Sequence, residues 1–305
     1  MNEIEITRRD WAMVAILGLV WGSTFLFIEM ALEGIAPFWL AAGRIGFASL
    51  LMAVIWRARG AVLHTDPDQR GGWGALITVG VLSTALPFML ISWGQQYVTS
   101  GFTGVSMASV ALIVLPLAHF LVPGERASLR KIAGFLVGFV GVVVLMGAGV
   151  FESSGAARES AGRVAILMAT ACYAISSVMI RKLPPMDPIG LASVQMFIGC
   201  CLVLPAAWVV EGPPPLPDGR TLIIVVILGM FPTAAANLLR VLVIRSAGPT
   251  FMSLTNYLVP VCAILLGAIV LHEPLPASLL WALCLILSGV GLSQYGALKR
   301  LFSGD

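Results

Sequence analysis

Thr233, Asn237 and Arg240 interrupt an otherwise apolar run at spacings of four and three residues. Positions i, i+4 and i+7 share one face of an α-helix, so a hydroxyl, an amide and a guanidinium would form a single stripe. A second stripe follows in Thr250, Ser253, Asn256 and Tyr257. Shifted back by 145 residues, the first stripe falls on Phe88, Ser92 and Gln95; shifted by 144, the second falls on Ser106, Ser109, Leu112 and Ile113. Arg44 stands seven residues after Pro37, and Gln195 seven residues after Pro188. These groups can pair charges and exchange hydrogen bonds with a small polar solute. Against lipid they are costly, so they should face a bundle interior or water. The alternative is hydrogen bonding between helices with no ligand.

Other candidates join them. Trp21 and Thr24 share a helix face, and Tyr173 and Ser176 offer an aromatic ring and a hydroxyl at the same spacing in the second half. The rings could stack on a substrate or simply pack. Arg44 could offset a carboxylate charge; the alternative is an ion pair with Glu29 or Glu33. Arg240 could line the path or snorkel to a membrane surface. The central candidates are thus Trp21, Thr24, Tyr173 and Ser176, with Arg44 beside them. Ser92, Gln95, Asn237, Arg240, Ser253, Asn256 and Tyr257 would line the path. Gly18 and Gly22 form a GxxxG face for close helix packing, while Gly134, Gly138 and Gly141 suggest packing, with a face for another protein as the alternative.

Bond-making chemistry finds little support. His272-Glu273 lacks the second histidine of HExxH, and neither a Gly-x-Ser-x-Gly elbow nor a GxxxxGK[ST] loop occurs. The five cysteines fall in apolar runs without metal-ligand spacing. No catalytic residue, metal or cofactor is expected. Asp10, Glu29, Glu33, Glu125 and Glu273 all lie near run ends, which favours uncoupled movement down a gradient.

The elements that must position these groups are membrane spans. The chain of 305 residues is 59% hydrophobic and 11% charged, with a mean hydropathy of +0.97. That is too apolar for a soluble domain. About 20 apolar residues cross the hydrocarbon, and ten runs qualify: 11–31, 37–56, 72–93, 98–121, 130–149, 162–180, 188–210, 221–243, 249–271 and 277–297. The first run is expected to be a retained helix, not a signal peptide. With alternate connections assigned inside, 14 Lys and Arg lie inside and 3 outside, which places both termini in the cytoplasm.

The runs repeat. Pro87 and Pro232 lie 145 residues apart, Pro116 and Pro260 144, Pro37 and Pro188 151, and Glu125 and Glu273 148. Five spans per half is an odd number, so the halves would enter the membrane from opposite sides. The expected fold is an all-α polytopic membrane protein of ten helices in two inverted five-helix repeats, 1–150 and 162–305. Residues 151–161 would form the loop between them, with Ser153, Ser154 and Gly155 as a hinge. Interrupted helices at matching places in two repeats mark a secondary transporter whose site lies where the repeats meet.

The run Trp21-Gly22-Ser23-Thr24-Phe25, Arg44 early in span 2, and Gly124-Glu125-Arg126 resemble the first half of an EamA-type protein of the drug/metabolite transporter superfamily. Ala247-Gly248-Pro249-Thr250, Asn256-Tyr257, Pro260 and His272-Glu273-Pro274 resemble the same domain again. The resemblance implies ten helices around a central cavity and, in many members, export of amino acids or related metabolites. Other members move drugs or nucleotide sugars. The expected function is therefore export of small metabolites, foremost apolar or aromatic amino acids, from an inner membrane by alternating access. The expected partners are that substrate and the lipid bilayer, with no nucleic acid. A monomer is expected, with a homodimer as the alternative. A channel, a scaffold or a sensor are the competing classes.

Overall fold

The computed structural model describes residues 7–64, 72–121, 128–147 and 157–303. Ten helical spans run through them: α1 Arg8–Leu32, α2 Pro37–Ala58, α3 Trp73–Gly94, α4 Ser100–Leu121, α5 Leu129–Met146, α6 Ala157–Ile180 and α7 Pro188–Glu211. Next, α8 comprises Gly219–Leu228, Gly229–Ala235 and Ala236–Met252; α9 is Thr255–Val270 and α10 Ala277–Ser303. Nine of the ten are long and apolar enough to cross a membrane; α9, of 16 residues, is shorter. The chain is thus a ten-helix polytopic membrane protein. The expected Glu125 closure, the Gly124-Glu125-Arg126 motif and the Ser153–Gly155 hinge lie outside the described residues.

Local sequence sets where helices begin. Thr7 and Asp10 make a reciprocal capping box for α1. Ser128 caps α5, Asp187 followed by Pro188 opens α7, and Asp218 opens α8. Each supplies a side-chain oxygen to amides that lack intrahelical partners. Hydrogen bonds from Thr221 hold the exposed Asp218 carboxyl below its ordinary range.

Two carboxylates cap helices from a distance. Glu211, ending α7, accepts 2.9 Å bonds from the amides of Phe38 and Trp39 at the start of α2. Glu273, between α9 and α10, accepts from the amides of Ser100 and Gly101 at 2.8 and 3.1 Å. These bonds tie α4 to the α9–α10 turn with the help of its N-terminal dipole. Replacing Glu273 with Ala orphans both amides. The expected loss is about 1–3 kcal/mol, read as a lower unfolding midpoint in detergent.

The paired prolines distort both halves alike. The turn before Pro87 is π-helical over Val81–Ala85, and Pro232 lies within a π-helical Gly229–Ala235. Proline lacks the N–H that would close the α-helical turn and crowds the preceding carbonyl; a widened turn relieves this. Threonine hydroxyls take up nearby carbonyls: Thr84 bonds Gly80 O at 2.6 Å and Gln195 O at 3.0 Å, and Thr233 bonds Leu228 O at 2.7 Å.

Packing follows the repeat. The helix α1 lies against α8 and α9, as its counterpart α6 lies against α3 and α4. The pairs α2–α7, α4–α9 and α5–α10 each join a helix to its own counterpart. Gly18 and Gly22 meet Leu258 and Cys262 of α9, as their GxxxG spacing implies. Gly134 and Gly141 are spent on α10, against Gly289, Ser293 and Ile286, and Gly138 also meets Leu112 of α4, so these glycines do not form a face for another protein.

Four boundaries differ from expectation by five residues or more. The helix expected to end at 243 continues to Met252, and α9 starts at Thr255 instead of 249. Apolar content alone does not locate a break that falls within one continuous apolar stretch. The other two are the start of α6 at Ala157, inside the loop expected over 151–161, and the end of α10 at Ser303 instead of 297.

Candidate functional site

Arg44 occupies the centre of the arrangement. It lies seven residues into α2, about 10 Å along the helix, and is 8% exposed. Its Nε donates a 2.8 Å bond to Thr233 Oγ1 in the π-helical turn of α8. Its guanidinium stacks over the Phe88 ring of α3 at 4.3 Å. Phe88 and Thr233 are counterparts under the 145-residue repeat, so Arg44 bridges equivalent points of the two halves. Tyr173 packs on the same cluster as Phe88 and Ile45. The alternative ion pairs do not form: Glu33 pairs with Arg220 at 3.5 Å, and Glu29 accepts from Gln95 at 3.4 Å. Among the described residues no carboxylate meets Arg44, and its terminal nitrogens have no hydrogen-bond partner.

From Thr233 the stripe runs along α8 toward the face where α1 begins and α10 ends, here the terminal face. Asn237 Nδ2 donates to Thr233 O. Arg240, about 10 Å along the helix from Thr233, is exposed. Arg240 has no hydrogen-bond or ion-pair partner among the described residues. Asn256, near the start of α9, is likewise exposed, and Tyr257 beside it keeps a buried hydroxyl without a hydrogen-bond partner.

The opposite end is sealed. Gln95 is 1% exposed, and its Nε2 donates to Phe25 O of α1 at 3.0 Å as well as to Glu29. Ser100 to Ser106 of α4 are buried throughout, while Ile113 to Leu117, nearer the terminal face, are partly exposed. The Gln95 clasp and the Glu273 cap gather α1, α3, α4 and the α9–α10 turn at this end.

The other candidates are placed as follows. Trp21 Nε1 donates to Pro232 O at 3.1 Å, joining α1 to the π-helical turn of α8. Thr24 and Ser176 are buried, with hydroxyls returned to Val20 O and Tyr173 O of their own helices. Ser92 is buried at 3% exposure. Ser253 donates to Gln294 of α10 at 3.1 Å. Arg44, Thr233, Asn237 and Arg240 thus form one line, flanked by Phe88 and Tyr173. Thr233 and Phe88 were singled out only as stripe counterparts under the 145-residue offset, and their contact with Arg44 was not expected.

No group of three His, Cys, Asp or Glu side chains is arranged to hold a metal ion among the described residues. A separate groove of about 300 Å³ lies between α2, α8 and the Pro214–Pro217 loop, lined by apolar residues such as Trp39, Phe47, Leu50 and Leu222. None of the candidate site residues lines it.

Comparison with known proteins agrees with this architecture. The model of the EamA-like transporter family matches twice, over residues 11–147 and 160–294. A protein of Archaeoglobus fulgidus named "Uncharacterized transporter" is 24% identical over 291 residues, spanning 92% of this chain and 97% of its own. The Escherichia coli K12 protein named "Uncharacterized inner membrane transporter YedA" is 26% identical over 253 residues, spanning 82% and 79%. A solved structure superposes with a TM-score of 0.67 at 19% identity, covering 96% of this chain and 99% of that one. It shares the fold.

Proposed function

Because the chain belongs to the EamA-like transporter family, we propose that it exports small metabolites, amino acids foremost, across the inner membrane by alternating access. The observation that carries the reading is Arg44: a buried cation without a carboxylate partner among the described residues, held where equivalent points of two repeats meet. An unpaired charge at that depth is costly unless a ligand or water completes it. A substrate carboxylate would do so, with Phe88 and Tyr173 offering apolar surface to its side chain.

The 14 to 3 division of Lys and Arg supports a cytoplasmic terminal face. On that orientation the sealed end faces outward, and Arg240 and Asn256 open toward the cytoplasm. A substrate would enter past Arg240, pass Asn237 and meet Arg44. Rocking of the repeats would then open the Gln95 clasp and the Glu273 cap.

The test is uptake of labelled amino acids into liposomes holding the purified protein, with and without a pH gradient. Saturable uptake and counterflow, indifferent to the gradient, are expected. Absence of uptake for every amino acid would overturn the substrate assignment; conductance far above carrier turnover would overturn the carrier mechanism.

A further inference from the structure

Resting on that transport reading, we propose that this site selects a carboxylate joined to an apolar or aromatic body, and that the ammonium group of an amino acid is dispensable. Organic monoanions of the 2-hydroxy-acid class would then be carried alongside amino acids.

The argument is an inventory of what could hold an ammonium. All eight carboxylates among the described residues are engaged. Glu211, Glu273, Asp187 and Asp218 accept helix amides. Asp10 is bonded by Thr7 and Ser246, Glu33 pairs with Arg220, Glu159 with Arg163, and Glu29 accepts from Gln95. Backbone carbonyls at the two π-helical turns are the next acceptors. Four of them are already bonded: Pro232 O by Trp21, Leu228 O by Thr233, Thr233 O by Asn237 and Gly80 O by Thr84.

Gln95 Oε1, buried without a partner beside Glu29, is a competing acceptor. It follows the end of α3, seven residues after Phe88, a rise of about 10 Å along the backbone. In an α-amino acid only two covalent bonds, roughly 2.5 Å, separate the nitrogen from the carboxyl carbon. A carboxylate on Arg44 therefore leaves its ammonium far from Gln95 and Glu29. The nearest unpaired charge along the path is Arg240, a second cation. Among the described residues the site thus offers a cation for one negative group, but for an ammonium only the neutral oxygens of Asn237, Thr233 and Tyr173 and no carboxylate.

Binding to the purified protein in detergent tests this with two matched series at neutral pH. One is phenylalanine, phenyllactate and phenethylamine; the other is leucine, 2-hydroxyisocaproate and isoamylamine. In the series that binds, the hydroxy acid should bind as tightly as the amino acid or tighter. The amine should bind at least ~10-fold more weakly, a gap of one charged contact. A hydroxy acid ~10-fold weaker than its amino acid, or an amine equal to it, overturns the proposal, as does the failure of all six to bind. Liposome uptake separates the two ideas. If amino acids are carried and hydroxy acids are not, only this inference falls; if neither is carried, the transport reading falls with it.

Discussion

Replacing Arg44 with Gln is expected to cut substrate uptake by about two orders of magnitude while raising the unfolding temperature. Function loses a charged partner for the carboxylate. Truncating one side of a desolvated, hydrogen-bonded charge pair costs about 2–5 kcal/mol, and ~100-fold corresponds to the lower part of that range. Stability gains because the empty protein holds a cation at 8% exposure with no carboxylate partner among the described residues. An Arg at the centre of a membrane helix carries about 2.5–3.5 kcal/mol of insertion cost, which a neutral amide largely avoids. Gln can still donate to Thr233. Uptake assayed beside thermal unfolding in detergent checks both signs. A variant that transports normally would remove Arg44 from the site, and one that unfolds earlier would make Arg44 a structural group.

Gly289→Leu should be the most damaging change to the fold. A Cβ at Gly289 would meet the Gly134 carbonyl and the Gly138 amide of α5, which are backbone atoms unable to turn aside. The contact is reciprocal, since a Cβ at Gly134 meets the Gly289 carbonyl. The two helices would have to part along their packed face, at about 3 kcal/mol or more. Without a hydrophobic drive between helices inside lipid, such close backbone approach carries much of their association. Gly291, two residues on, has open space where its Cβ would stand. Gly291→Leu therefore serves as the matched control and should elute and unfold like the parent protein. Equal behaviour of the two variants would show that α5–α10 contact is dispensable.

The membrane spans were legible because hydrocarbon demands uninterrupted apolar length, and the chain supplies it ten times. The proline pairs were legible as breaks, since a missing N–H disturbs a helix wherever it stands; that both breaks are π-helical turns was not. The partners of Arg44 were hidden for a different reason. Glu29 and Glu33 are near it in sequence, whereas Thr233 lies 189 residues away and reaches it only through packing of α2 on α8. Ser253 read as part of a polar stripe by spacing, but spacing fixes a face without fixing which neighbour that face meets; its bond to Gln294 of α10 is a tertiary contact. Glu273 read as a span end; that Glu211 and Glu273 each serve a helix 173 residues away is a tertiary property.

The Arg44 bridge has an electrical consequence for a carrier of the proposed kind. A monoanion resting on Arg44 cancels its charge, so the loaded carrier crosses between states almost as a neutral body. The empty carrier retains the positive charge. A full elementary charge crossing 100 mV exchanges about 2.3 kcal/mol with the field, and whatever fraction of the drop Arg44 traverses sets its share. With the cytoplasm negative, that share pulls the unloaded binding site toward the cytoplasmic side after each release. The resting voltage would thus reset the carrier for its next cytoplasmic substrate and give an otherwise uncoupled cycle a preferred direction.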